Sequence, residues 1–241
     1  NRPSKKNAAN GTMWAELKQT FLEIGSNPDD RVMVLTGAGG EFCSGADLSS
    51  GDARRAETHA LASMRNITEV CMSLARIPQP TIAKVRGVAV GAGCNMALIC
   101  DLVVASDTAR FSEIFAKRGL SLDFGGSWVL PRRVGMHRAK ELALLAEIIG
   151  AQEAERIGLV NRVVADADID AFVADWAKRL AAGPPIALAQ SKRMLNNSSN
   201  VTLEQALEDE GAAQALNFGT KDTVEAMAAF LEKREPRFIG K

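Results

Sequence analysis

Short, almost wholly apolar runs alternate with helical patterns through the first half of the chain. Three of these runs have the β-branched composition of strands buried on both faces: residues 31–36, 81–85 and 102–105. Apolar residues at helical spacing predict three helices around them: residues 12–24, 59–75 and 94–100. Strands that alternate with helices predict an α/β fold.

The second half of the chain has a different pattern. From Ser127 onward helical patterns dominate, with one brief strand predicted over residues 159–164. We therefore expect two parts, an α/β core over residues 1–182 and a C-terminal helical region over residues 183–241 that covers the core or binds a neighbouring subunit. A chain of 241 residues is long enough for such a core with an appendage.

Charge and cysteine usage exclude several classes of protein. Lys plus Arg and Asp plus Glu both number 29, so the formal net charge is zero, which argues against nucleic-acid binding. No apolar run approaches the ~20 residues that span a bilayer. The cysteines lack zinc-ligand spacing, which predicts no metal and reduced, buried thiols in a cytoplasmic protein. The chain begins at Asn1 without Met, so we expect an upstream segment, a strand.

Two glycine-containing turns carry the candidate chemistry. Gly91-Ala92-Gly93 lies between an apolar strand and a helix, where free N–H groups can stabilise an anion, although a tight turn without a ligand has the same pattern. A dinucleotide-binding fingerprint does not fit, because Met96 occupies its third glycine position. Residues 42–48 form the second turn, which also follows a strand and also offers small residues with free amides.

Several segments together resemble the enoyl-CoA hydratase/isomerase (crotonase) family, over essentially the whole chain. They are NRPSKKNA, GGEFCSGADL, KVRGVAVGAGCNMALICDLVVAS, LSLDFGGSWVLPRRVG, AERIGLVNRVV and AFLEKREPRF. The resemblance implies a spiral of ββα units with a C-terminal helical region that packs in trimers, as a homotrimer or a dimer of trimers. It also implies an acyl-CoA thioester as substrate, with coenzyme A carried by the substrate and no further cofactor, and a place in fatty acid metabolism.

The same resemblance implies the roles of individual residues. The backbone N–H groups of Ala46 and Ala92 correspond to an oxyanion hole, which holds the thioester oxygen as an enolate forms. Seven positions correspond to coenzyme A contacts: Ser4, Lys5, Lys6, Ser44, Leu48, Phe230 and Lys233, the last two reaching it from another subunit. For the three lysines a solvated surface position remains an equal alternative.

The reaction depends on carboxylates, and the pair that hydratases of this family use is incomplete. Asn95 stands at the position of the first glutamate, and an amide cannot exchange a proton near neutral pH. Phe115 stands at the position of the second in an ungapped comparison, while Glu113 lies two residues earlier. We interpret Glu113 as a surface or secondary acid, and ordinary two-glutamate hydration is disfavoured.

Asp123 is the candidate for proton transfer. It lies in GLSLDFGGSW, at a position where isomerase-like and dehalogenase-like relatives carry a working carboxylate. One carboxylate suffices for a double-bond shift, because it can remove a proton from one carbon of the acyl chain and return it two carbons away. The alternative is that Asp123 caps a helix that begins near Gly125.

The sequence thus favours an enoyl-CoA isomerase, with two alternatives. One is a hydratase that works through Glu113, and the other is a catalytically quiet acyl-CoA-binding subunit. A Ser-His-Asp hydrolase is disfavoured, since no GxSxG motif occurs and the two histidines fit an exposed position (His59) and a structural one (His137). Residues 49–57 have no periodicity, which predicts a mobile loop beside the acyl pocket.

Overall fold

The computed structural model describes residues 1–49 and 59–241. Its strands are β1 (Met33–Thr36), β2 (Thr81–Val85), β3 (Val88–Val90), β4 (Leu102–Ser106), β5 (Arg110–Ser112), β6 (Ile149–Gly150) and β7 (Arg162–Val164). Its α-helices are α1 (Gly11–Ser26), α2 (Ala60–Ala75), α3 (Ala92–Ile99), α4 (Gly126–Leu145), α5 (Ala151–Arg156), α6 (Ile169–Ala181), α7 (Pro185–Asn197), α8 (Leu203–Phe218) and α9 (Lys221–Glu232). Short 3-10 helices cover Pro3–Lys5, Ile114–Arg118 and Ser198–Asn200.

The predicted apolar strands form one parallel sheet in the order β1-β2-β4-β7. Ala83 of β2 pairs with Leu35 of β1 on one side and with Val103 of β4 on the other. Helices cover both faces of this sheet: one face joins the main core, and on the other Ile169 and Val173 of α6 pack against its apolar side chains. Burial on both faces explains the mostly apolar residues of the two central strands, β2 and β4.

A second sheet has the order β3-β5-β6, with β3 and β5 parallel and β5 and β6 antiparallel. Isolated bridges extend it, since Cys43 pairs with Ala89 of β3 and Ala46 pairs with Ala9. The chain therefore repeats one unit: a strand of the first sheet, a strand of the second, then a helix, as in β2-β3-α3 and β4-β5-α4. The predicted α/β spiral of ββα units is confirmed.

The C-terminal helices are tied to the core through partly buried polar contacts of α7. The Lys192 ammonium lies 2.7 Å from the Asp101 carboxylate and donates to the Gln79 carbonyl at 2.9 Å. The chain end folds back onto α9, where buried Asp222 accepts hydrogen bonds from two backbone N–H groups of the tail. The boundary between residues 1–182 and 183–241 stays a prediction.

The described residues contain neither a membrane-spanning helix nor a cluster of metal ligands. Within residues 1–49 and 59–241, no helix combines the length and the hydropathy that crossing a bilayer requires. The same residues contain no cluster of three or more His, Cys, Asp or Glu side chains that could hold a metal ion.

Candidate functional site

The two predicted turns lie against each other at the junction of β3 and α3. A Cβ atom placed on Gly45 would lie 2.9 Å from the Val90 carbonyl oxygen and 3.8 Å from the Ala92 nitrogen. A Cβ on Gly93 would lie 2.3 Å from the Cys43 carbonyl oxygen, so only glycine permits this approach. The turns therefore bring the backbone around Ala92 into contact with the segment that contains Ala46.

The N–H groups of Ala46 and Ala92 are both left without an acceptor inside the described part of the chain. Ala92 is the first residue of α3, where a helix has no internal partner for its N–H. Residues on both sides of Ala46 have hydrogen-bonded N–H groups: that of Ser44 donates to the Lys6 carbonyl, and that of Asp47 donates to the Ala9 carbonyl. The Ala46 N–H itself donates to no described residue. Two free donors on adjacent turns suit an oxygen that becomes negatively charged.

Glu113, Asn95 and Asp123 come together beneath α3. The Asn95 side-chain amide donates to Glu113 Oε2 at 3.2 Å and to the Asp123 carbonyl oxygen at 2.9 Å. Glu113 is only 1% exposed, so its interpretation as a surface acid is wrong. The physical reason is its position directly after β5, where the chain turns into a 3-10 helix and the side chain is enclosed by the core.

Burial dominates the electrostatics of this cluster. Loss of solvation raises the pKa of Glu113 to about 7, helped by nearby Asp123 and opposed by hydrogen bonds from Cys94 and Asn95. Loss of solvation also raises the pKa of Asp123 to about 6. Both carboxyl groups therefore exchange protons close to neutral pH, as groups that work in proton transfer do.

Asp123 does not cap α4. Gly125 occupies the position before the helix, and no side chain hydrogen-bonds to the first turn. Phe124, which follows Asp123, has a φ of 46° and stacks on Trp14 with ring centroids 5.6 Å apart. The left-handed backbone conformation is strained for a residue other than glycine and persists only where the surrounding packing enforces it. Residues in such conformations cluster at active sites.

Three oxygen atoms of the cluster are buried without a hydrogen-bond partner in the described residues: Asn95 Oδ1, Glu113 Oε1 and Asp123 Oδ1. Buried polar atoms are nearly always paired, so an unpaired group suggests a functional cause. Phe115, at the ungapped position of the second hydratase glutamate, is instead an apolar wall whose ring lies 3.6 Å from a Cβ placed on Gly91.

Replacing Glu113 with Gln should stabilise the protein at alkaline pH. Folding raises the pKa of Glu113 from 4.5 to about 7, so the folded state binds the carboxyl proton more tightly than the unfolded state does. The contribution of Glu113 to the free energy of unfolding therefore falls as pH rises through about 7. Gln mimics the protonated form of Glu113. We therefore expect the free energy of unfolding of Glu113→Gln to exceed that of the wild type by up to about 3 kcal/mol at pH ~8, and this difference should vanish below pH ~4.5. Urea unfolding of both proteins across this range measures it, and a gain that did not depend on pH would contradict the burial cause.

The N-terminal coenzyme A candidates lie beside the turn that contains Ala46. Ser44 Oγ donates to the Lys5 carbonyl at 3.2 Å, and the Lys5 ammonium lies 3.4 Å from Ser49 Oγ. Lys6 forms an ion pair with Glu41 at 3.0 Å, while Ser4 and Leu48 are exposed nearby in the chain. The structure thus brings Lys5, Lys6 and Ser44 together beside the second sheet.

The C-terminal candidates are not part of this group within one chain. Phe230 is 80% exposed on α9, and Lys233 ends that helix in a left-handed conformation. Among the helices, α9 contacts chiefly α8.

His59, predicted to be exposed, is exposed and caps α2 by accepting a hydrogen bond from the Leu61 N–H at 3.2 Å. Most of the predicted loop over residues 49–57 lies outside the described residues.

One contact at the site was not predicted from the sequence. The Arg2 guanidinium lies 2.8 Å from the Asp47 carboxylate, directly after Ala46. Hydrogen bonds from Ser49 and Arg2 hold the pKa of Asp47 well below its usual value. The only signal in the sequence was the conjunction of an early Arg with the GADL motif, because their contact requires the bridge between Ala9 and Ala46.

Comparisons with known proteins agree with this architecture. The family model described as enoyl-CoA hydratase/isomerase matches residues 1–241. The chain is 36% identical to 1,2-epoxyphenylacetyl-CoA isomerase of Escherichia coli, over 100% of this chain and 93% of that protein. It is also 36% identical to crotonyl-CoA hydratase of Syntrophomonas wolfei, over 100% and 93% of the two chains.

Solved structures show the same relationship. The crystal structure of an enoyl-CoA hydratase from Bacillus anthracis superposes with a TM-score of 0.92 at 32% identity, covering 100% of this chain and 93% of that one. Isomerases and hydratases both match along nearly their whole length. The comparisons therefore establish the family but do not distinguish between the two reactions. The chain has the crotonase fold and belongs to the enoyl-CoA hydratase/isomerase family.

Proposed function

We propose that this protein shifts the double bond of an enoyl-CoA thioester, with Asp123 carrying the proton. The observation that carries this proposal is the unpaired, buried Oδ1 of Asp123 on a carboxyl group that titrates near neutral pH. Asn95 and Phe115 occupy the positions where a two-glutamate hydratase would keep its acids, and neither can exchange a proton.

The proposed reaction is a proton shift that consumes no water. Ionised Asp123 takes a proton from C2 of a 3-enoyl-CoA, and the electrons of the broken C–H bond form a dienolate on the thioester oxygen. The N–H groups of Ala46 and Ala92 stabilise this charge, each removed donor costing on the order of 10²–10³ in rate. Protonated Asp123 then returns the proton to C4, which yields the conjugated 2-enoyl-CoA.

Coenzyme A binding extends the proposal to the edge of the second sheet. Ser4, Lys5, Lys6, Ser44 and Leu48 lie near the Ala46 turn, which supports a role in holding the nucleotide and the pantetheine arm. Phe230 and Lys233 would contribute from a neighbouring subunit. A homotrimer or dimer of trimers, a cytoplasmic location and a role in fatty acid metabolism stay predictions.

The test is incubation with 3-enoyl-CoA substrates of several chain lengths, following the absorbance of the conjugated product. Conversion at a rate proportional to enzyme concentration supports the proposal. Absence of conversion at every chain length would refute it.

The pH dependence of kcat/KM should report the ionisation of Asp123 in the free enzyme. Asp123 must be ionised to accept the proton, and its pKa is raised to about 6, so kcat/KM should rise with pH through about 6. At pH ~5 we expect roughly a tenth of the plateau value. A profile that was flat or falling between these values would contradict the assignment.

Hydration through Glu113 is the second candidate, and one observation favours it. Glu113 interacts electrostatically with Asp123, so two carboxyl groups of raised pKa meet in one site. Such a pair could act as acid and base toward water. Crotonyl-CoA hydration that is lost in Glu113→Gln but kept in Asp123→Asn would favour this candidate.

A further inference from the structure

We infer that Glu113 is a positioning residue that acts through Asn95 to hold the turn that presents Asp123. The inference rests on the proposed function, in which Asp123 carries the proton. It assigns a role to a buried carboxyl group and a buried amide that the proton shift itself does not use.

Asn95 is the connecting element. Its NH₂ group donates one hydrogen bond to Glu113 Oε2 at 3.2 Å and one to the Asp123 carbonyl oxygen at 2.9 Å. The side chain is fully buried, and its Oδ1 has no partner among the described residues. The Asp123 carbonyl can only accept, so it fixes which way the amide faces: rotating the amide would point its oxygen at that carbonyl.

The turn that Asn95 holds is strained and closely packed. Phe124 has a φ of 46°, and the Asp123 carbonyl that precedes it also accepts the Gly126 N–H at 2.9 Å. A Cβ atom on Gly126 would lie 2.4 Å from Asn95 Nδ2, so the amide lies directly against the start of α4. A turn of this kind needs external contacts to persist, and the Asn95 amide is one of them.

Glu113 keeps the amide in place from the other side. It is 1% exposed, its Oε2 accepts the Asn95 amide, and the Cys94 thiol lies close enough to influence its pKa. The charged group that faces it from the neighbouring turn is Asp123, a carboxylate, and no cation of residues 1–49 or 59–241 contributes to its pKa. A buried carboxyl group without a cation costs folding free energy, and acceptance of the Asn95 bond is the function its contacts support.

The geometry also accounts for Asn95. An amide can donate two hydrogen bonds to oxygen acceptors from one nitrogen, whereas a carboxylate at this position would repel both Glu113 and the Asp123 carbonyl. Asn95 thus links the end of β5 to the start of α4 through the first turns of α3. A displacement of about 1 Å at the reacting group can cost on the order of 10² in rate.

The experiment compares Glu113→Gln with Glu113→Met in the full chain. Gln keeps an oxygen acceptor for Asn95, whereas Met has similar length and none. We expect Glu113→Gln to retain kcat within about 3-fold and Glu113→Met to lose about 10- to 100-fold in kcat, with KM for 3-enoyl-CoA changed less than about 3-fold.

Hydrogen–deuterium exchange supplies a readout that does not depend on the reaction. The Gly126 N–H donates to the Asp123 carbonyl, so exchange in a peptide that covers residues 120–130 should accelerate in Glu113→Met but not in Glu113→Gln. A peptide that covers β4 serves as the control, because hydrogen exchange would accelerate there too if the variant were unfolding or loosened throughout.

Asn95→Leu removes the same hydrogen bonds from the other side, because Leu has no donor for Glu113 or for the Asp123 carbonyl. It replaces Glu113→Met in the test if that variant does not fold. It should reproduce the loss in kcat and the faster exchange, and the two changes together should add little further. Glu113→Gln as inactive as Asp123→Asn would overturn the inference, because Glu113 would then carry protons. Unchanged exchange at residues 120–130 in both Glu113→Met and Asn95→Leu would also overturn it. Failure of the proposed function shows separately, as absence of isomerisation by the wild type.

Discussion

Replacing Asp123 with Asn should lower kcat for isomerisation by ~10³-fold or more, with a small change in KM. General acid–base catalysis contributes on the order of 10²–10⁴ in rate, and here one carboxyl group performs both the removal and the return of the proton. Asn has nearly the same shape. The turn should persist, because Asn95 and Gly126 bond to the main-chain carbonyl of Asp123 and not to its carboxyl group.

Asp175→Asn is a matched control for this substitution. Asp175 lies on α6 with 63% of its side chain exposed and forms only a surface ion pair with Arg179. Kinetics of both variants with a 3-enoyl-CoA, together with thermal unfolding, separate loss of the proton carrier from loss of the fold. Isomerisation by Asp123→Asn at more than about a tenth of the wild-type rate would contradict the assignment.

Replacing Ala92 with Pro should lower kcat by about 10²- to 10³-fold through loss of one hydrogen-bond donor. Ala92 is the first residue of α3, the helical position that tolerates proline because its N–H has no partner within the helix. The first helical bond, from the Asn95 N–H to the Gly91 carbonyl at 3.0 Å, does not involve the removed group. The substitution therefore deletes the proposed donor with little demand on the helix.

Ala92→Gly is the paired control, since it keeps the N–H and removes only a methyl group. Binding of a saturated acyl-CoA, which forms no enolate, should change less than about 10-fold in both variants, because the donor acts mainly on charge that develops during the reaction. A proline variant that binds the saturated thioester and also isomerises at the wild-type rate would rule out this N–H as part of an oxyanion hole.

The fold was predictable where burial leaves a pattern in the residues. Strands β2 and β4 are enclosed on both faces, so most of their residues are apolar, and the predicted bounds agree to within one residue. Strands β5 and β6 were missed, since three and two residues are too few to show any periodicity. They are strands because the second sheet places a partner beside them.

The site was predictable in its backbone and less so in its side chains. Glycine spacing located the turns of Ala46 and Ala92, because only glycine allows two backbones to approach so closely. The burial of Glu113 was not predictable, since the short β5 ends one residue earlier and no pattern specifies the direction of the next side chain. The ion pair of Arg2 with Asp47 depends on a bridge between distant segments.

In the proposed reaction, the site moves a proton within the acyl chain and does not add water. The most direct test gives wild-type enzyme a 3-enoyl-CoA and, separately, the matching 2-enoyl-CoA, and identifies the products by mass. We expect the 3-enoyl-CoA to be converted to an isomer of unchanged mass faster than either substrate gains the mass of water. Faster formation of a water adduct, or no enzymatic change of either substrate, would contradict it.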